Sequence, residues 1–291
     1  MFRGSIPALV TPFRDEAFDE GVFRDLVEWQ IRERSHGLVP CGTTGESATL
    51  TASEQARVVS VCVDQAKGRV PVIAGCGSNS TRVVIGHMKA AEDAGADAAL
   101  VVLPYYNRPS QDGIFAHFEA LTQASRLPII VYNVPGRTVT DVLPETLGRL
   151  AKLPGVAGIK DASGDLSRVT AHRRLCGADF CMLSGNDDMS LGFLAMGGVG
   201  TISVTANVAP RLFADFHDAF LAGDHPRALE INDRLYPLHK ALFSDASPGP
   251  AKYALSRVRP GFPLELRLPM TPPSEPSRRA VDEALEIAGL V

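Results

Sequence analysis

The sequence predicts an α/β chain folded as a (β/α)8 TIM barrel with a C-terminal helical extension, and three observations lead there. Short apolar runs alternate with amphipathic stretches up to about residue 209, eight of the runs have strand length, and polar glycine-containing segments follow nearly all of them. An open doubly wound sheet shares the alternation. It would gather its glycine-rich segments at one switch point, however, whereas a barrel spreads them around a rim, as this chain does.

The eight strand candidates are residues 6–10, 37–40, 70–74, 98–102, 129–132, 157–160, 181–184 and 201–204. Between them lie helical patterns at 18–33, 53–67, 81–94, 112–124, 144–152, 166–175 and 189–195. Thr51-Ala52-Ser53-Glu54 reads as a capping box at a helix start. Beyond 209 the strands stop and helical patterns continue at 212–221, 228–242, 249–258 and 276–288. This divides the chain into a barrel over 1–224 and a helical extension over 225–291, with no low-complexity linker and no solenoid repeat.

Composition narrows the function. A chain of 291 residues with 45% apolar and 21% charged residues can bury a large core. The net charge is -4 and no basic run interrupts the mixture, which argues against nucleic acid and anionic membranes and for a small-molecule ligand. The first residues lack a signal-type apolar core, and the most apolar stretch, 96–103, is too short to span a bilayer, so a cytosolic protein is expected. Five cysteines, odd in number and widely spaced, read as reduced, mostly buried thiols. The seven histidines form no close ligand pair and no H-E-x-x-H pattern, so neither a metal nor a cofactor is expected.

In a barrel the residues just after each strand converge on one rim. Lys160 ends the sixth run, Val156-Ala157-Gly158-Ile159-Lys160. Desolvation at such a place favours the uncharged amine, which can form a Schiff base with a ketone. Gly42-Thr43-Thr44-Gly45-Glu46-Ser47 follows the second run, Tyr105-Tyr106-Asn107-Arg108 the fourth, Asn133-Val134-Pro135-Gly136-Arg137-Thr138 the fifth beyond Tyr132, and Gly185-Asn186-Asp187 the seventh beyond Ser184. Gly75-Cys76-Gly77-Ser78-Asn79 reads only as a turn into a helix, and Gly197-Gly198-Val199-Gly200 precedes the eighth strand and so belongs to the opposite end. Singly, each feature has an ordinary explanation: a snorkelling lysine, a rim aromatic, a turn. A lysine, tyrosines, threonines and an arginine at several strand ends together make a candidate active site.

GTTGES at 42–47, YNVPGRT at 132–138 and GIKDASGD at 158–165 resemble the dihydrodipicolinate synthase family of pyruvate-dependent class I aldolases. PYYNRPSQDG at 104–113, ISVTANVAP at 202–210 and LRLPMTP at 266–272 extend the resemblance over essentially the whole chain. The resemblance implies a Schiff-base lyase that condenses pyruvate with L-aspartate 4-semialdehyde in the diaminopimelate route to lysine. It gives Lys160 the nucleophile's role and Tyr132 that of central acid/base, with Thr44 and Tyr106 as proton-relay partners and Tyr106 reaching across a subunit contact. It has Thr43 and Thr44 holding the pyruvate carboxylate, Arg137 clamping the semialdehyde carboxylate, and Gly185 and Ile202 lining the site through backbone groups. It also implies a homo-oligomer, dimer or tetramer.

Relatives such as N-acetylneuraminate lyase or a 2-keto-3-deoxy sugar acid aldolase share the lysine and tyrosine. A sugar chain needs hydroxyl partners, however, whereas the semialdehyde presents a carboxylate that rewards the planar fork of Arg137. A barrel that only binds pyruvate-like ligands would be marked by loss of the lysine or tyrosine, and both are present. Members inhibited by lysine commonly carry histidine where this chain has Ala52 and an acid where it has Val83, so weak or absent lysine inhibition is expected.

Overall fold

The computed structural model describes residues 2–291. Seven parallel strands form one curled sheet in the order Gly4–Pro7, Gly200–Ser203, Cys181–Ser184, Val156–Asp161, Ile129–Asn133, Ala98–Val102, Ile73–Gly75. The predicted second strand, 37–40, is reduced to two parallel bridges, Ala8 with Val39 and Leu38 with Val72. The N–H of Val39 donates to Pro7 O and that of Leu9 to Val39 O, while the N–H of Leu38 donates to Pro71 O and that of Ile73 to Leu38 O, all at 2.9 Å. These bonds close the barrel. The ladder is no longer because Pro7, Pro40 and Pro71 lack amide hydrogens along this seam. The first strand begins two residues before its expected start, since the N–H of Gly4 already pairs with Val199 O.

Side-chain parity separates two apolar layers. Ala98, Leu100, Ile130, Tyr132, Leu183 and Ile202 fill the barrel, while Ala99, Val101, Ile129, Val131, Ile159 and Met182 face the surrounding helices. Both faces are buried, so the strands read as unbroken apolar runs and the sequence does not reveal which residue points inward.

The predicted helices are present, among them Glu20–Arg32, Ala52–Ala66, Thr81–Asp93, Gln111–Ala124, Pro144–Leu150, Ser167–Cys176 and Ser190–Ala195. The capping box forms as expected, with Thr51 Oγ1 accepting from Glu54 N at 3.2 Å and Glu54 Oε2 accepting from Thr51 N at 2.8 Å; such a cap contributes about 1 kcal/mol. A small hairpin absent from the predicted elements pairs Phe13–Arg14 with Ala17–Phe18. Its turn residues Asp15 and Glu16 both have positive φ, and their N–H groups donate to the Glu265 carboxylate at 2.9 and 2.6 Å. Tertiary contact rather than turn composition holds it.

After the last strand, Pro210–Leu221 packs on the first strand and on His225–Ala241, which packs in turn on Glu275–Ala288. Gly249–Val258 lies against Glu275–Ala288, and the segment after it runs back toward the barrel mouth.

Candidate active site

Register places the central pair. Val102, Tyr132, Lys160 and Leu183 are successive partners across four strands, so Tyr132 and Lys160 stand side by side on the inner face at the C-terminal end. Each is 6% exposed, and Lys160 Nζ lies 4.1 Å from the centre of the Tyr132 ring. Gly185 leaves room for this lysine: a β-carbon there would stand 3.1 Å from Lys160 Cε and 2.7 Å from Ala162 Cβ. Ile202 is buried in the same apolar cluster as Tyr132.

One residue further along each strand, the side chains point the other way, and Asn133 and Asp161 are themselves register partners. Asn133 Nδ2 donates to Asp141 Oδ1 at 2.8 Å, and Arg168 donates to both Asp141 oxygens at 3.0 and 2.9 Å and to the Val142 carbonyl. Arg168 Nε also stands 3.5 Å from Asp161, whose Oδ1 accepts from Ser163 N at 2.8 Å. Burial lowers the pKa of His172 beside this group, opposed by the charge of Asp161. The network ties down the ends of the two strands that carry the tyrosine and the lysine, and the sequence reading missed it. The available signal was a polar residue immediately after each, forced by parity into the helix layer where it needs partners.

The second-strand loop is built differently. Thr43 is exposed and faces a small hollow shared with Tyr132, Leu100, Val102, Gly75 and Gly77, whereas Thr44 is buried and lines neither that hollow nor the wider cleft. The reading of Gly75–Asn79 as a mere turn is corrected here: Gly75 and Gly77 are walls of the site. A β-carbon on Gly75 would fall 2.0 Å from Cys41 O, and one on Gly77 would fall 2.5 Å from Val102 Cγ1.

A cleft of about 440 Å³ opens outward from Thr43 past Arg137, Tyr105, Ser47 and His87, with Ala52 and Val83 on its wall and no carboxylate among its lining residues. Arg137 is exposed on the short helix Pro135–Thr138, which follows the fifth strand and was not among the predicted helices. The chain beyond it is pinned by Thr138 Oγ1 donating to Thr140 O at 2.8 Å and Thr140 Oγ1 donating to Pro104 O at 2.7 Å.

Tyr106 does not join the others within its own chain. It is 91% exposed, held at a φ of 71°, and lines neither the hollow nor the cleft. Among the described residues no His, Cys, Asp or Glu cluster could hold a metal ion, and no helix is long and apolar enough to cross a membrane. All five cysteines are free, and burial pushes thiols such as Cys76 up to about 12.

A buried strand-end lysine packed on a tyrosine, at the open mouth of a (β/α)8 barrel, has the make-up of a Schiff-base lyase. The chain belongs to the dihydrodipicolinate synthetase family, whose sequence profile matches residues 1–288. It is 68% identical to the 4-hydroxy-tetrahydrodipicolinate synthase of Rhizorhabdus wittichii over 290 residues and 61% identical to that of Zymomonas mobilis over 291, with 100% of each chain covered in both cases. The solved dihydrodipicolinate synthase of Thermotoga maritima superposes with a TM-score of 0.96 at 40% identity, and the chloride-inhibited Acinetobacter baumannii enzyme complexed with pyruvate does so at 0.96 and 41%, again over 100% of each chain. The expected fold, family and lyase class are thereby borne out.

Proposed function

We propose that this chain catalyses the 4-hydroxy-tetrahydrodipicolinate synthase reaction, the condensation of pyruvate with L-aspartate 4-semialdehyde, in the barrel formed by 1–224, with 225–291 as its helical extension. The observation that carries the reading is Lys160 Nζ lying 4.1 Å from the centre of the Tyr132 ring, which lines a hollow that shares Thr43, Gly77 and Val102 with the cleft containing Arg137. In this reading the Lys160 amine adds to C2 of pyruvate and water leaves, giving an iminium. The iminium draws electrons from the methyl carbon, which loses a proton to form the enamine. That carbon then attacks the aldehyde of the second substrate. Release requires another amine to replace Lys160 at C2, and the semialdehyde's own amino group is within the same molecule.

Tyr132 moves the protons that these steps require, and Thr44 and Tyr106 serve as its relay. Thr43 and Thr44 hold the pyruvate carboxylate, and Arg137 pairs with the carboxylate of the semialdehyde. Gly185 and Ile202 shape the floor. The test is turnover of pyruvate with aspartate semialdehyde against a panel of sugar acids. Preference for the semialdehyde supports the reading, and preference for a polyol would hand the site to a sugar-acid aldolase.

The exposure of Tyr106 supports a homo-oligomer in which this residue completes a neighbour's relay. Mixing inactive Tyr106→Phe with inactive Lys160→Ala under subunit exchange then restores activity, because one mixed site receives both intact residues. Proven exchange without rescue overturns this part of the reading.

A further inference from the structure

The helical extension reaches the barrel mouth through a buried charge cluster that the chemistry above does not use. Lys252, on Gly249–Val258, places Nζ 2.6 Å from Glu46 Oε1, with side chains 0% and 2% exposed. Its Nζ also donates to Glu265 O at 2.7 Å and lies 4.5 Å from the centre of the Phe13 ring. The second oxygen of Glu46 accepts from Arg267 N at 3.1 Å, and the Arg267 side chain holds Glu54 at 2.5 Å and Thr49 O at 3.1 Å. A buried ion pair is a poor source of net stability, because desolvation offsets the attraction. Its location matters more.

Glu46 closes the loop that carries Thr43 and Thr44. Its N–H donates to Thr43 O at 3.1 Å, so a shift at Glu46 is transmitted to Thr43 through the backbone. The residue is held in the left-handed region at φ 55°, a conformation that a side chain other than glycine adopts only when something fixes it. On the barrel side of this point Thr11 Oγ1 donates to Gly45 O at 2.7 Å, and Gly45 approaches so closely that a β-carbon there would stand 2.9 Å from Leu9 O. The restraint from outside is Lys252 and Arg267. Burial lowers the pKa of Lys252, opposed by the Glu46 charge, as expected of a cation kept in place by its partner.

We propose that Glu46 and Lys252 are a positioning pair that sets the Gly42–Ser47 loop, so that the C-terminal extension governs pyruvate binding through Thr43 and Thr44. This rests on the reading of those threonines as the pyruvate-carboxylate donors. Two variants test it, each measured for the KM of both substrates, kcat, melting temperature and borohydride trapping with pyruvate. Glu46→Asp keeps the charge and shortens its reach by one methylene. The Glu46→Gln/Lys252→Met double variant leaves no charge unpaired.

The expected result is a pyruvate KM raised about fivefold or more in Glu46→Asp, with semialdehyde KM little changed, near-parental melting and full trapping at saturating pyruvate. The double variant shows the same split, and if it fails to fold, Glu46→Asp decides alone. A parental pyruvate KM in Glu46→Asp, or a loss of activity that only follows the folded fraction, overturns the proposal. If the parent protein itself gives no pyruvate adduct, the functional reading fails and the pairing role falls with it. An adduct in the parent together with a parental KM in the variant refutes the positioning role alone.

Discussion

The two walls of the candidate site are built by different means. On the wall of the fifth to seventh strands, the hydrogen-bond ladder fixes the relation of Tyr132 to Lys160, a network of Asn133, Asp141, Asp161 and Arg168 locks the strand ends, and Gly185 leaves the space that the lysine occupies. On the wall of the second strand the ladder has shrunk to bridges, and a glycine-bearing loop is held by side chains from elsewhere in the chain. Covalent chemistry needs a nucleophile whose place does not vary, and register supplies one. Carboxylate recognition needs hydroxyls and backbone N–H groups at a curved surface, which a loop supplies at the cost of depending on distant contacts.

That contrast can be broken from the strand side first. Gly185→Val places side-chain atoms where Lys160 Cε runs, and a displacement of about 1 Å at a reacting group costs on the order of a hundredfold. We expect kcat to fall by about that factor with the circular dichroism spectrum unchanged. Near-parental kcat would mean that the ladder does not hold the lysine rigidly. Just beyond the fifth strand, on the short helix Pro135–Thr138, Arg137→Ala removes the exposed guanidinium proposed to pair with the semialdehyde carboxylate and leaves Lys160 and Tyr132 in place. Semialdehyde KM should rise about tenfold or more while pyruvate trapping persists, and failure to trap pyruvate would mean that Arg137 serves the first substrate. The smallest effect belongs to the outer part of the cleft. Ala52 and Val83 line it with no carboxylate beside them, so a ligand carrying two ammonium groups would be poorly paired there. Lysine at about 5 mM should leave turnover nearly unchanged, and strong inhibition below about 1 mM would contradict this pairing argument.

The same contrast explains what the sequence disclosed. The barrel was legible because alternation of strand and helix survives on the chain, and Lys160, Tyr132 and Arg137 were legible because residues that end strands must share a rim. The second strand reads longer than it is because the sequence shows Pro7, Pro40 and Pro71 but not that they meet along one seam, where they deny it a ladder. Gly75 and Gly77 read as a turn in the sequence because their role is to be absent in volume next to Cys41 and Val102, partners separated from them by tens of residues. Lys252 lies in an apolar helical pattern, where a single lysine reads as a snorkelling surface residue, and only the fold brings Glu46 to it.

Lys160 as the covalent site carries all of the proposed chemistry. Reduction with borohydride in the presence of pyruvate, followed by peptide mapping, should place the reduced three-carbon adduct on Lys160, and the Lys160→Arg protein, whose guanidinium stays protonated, should carry none. An adduct on any other lysine, or an unlabelled Lys160 in a protein that turns over, would contradict it.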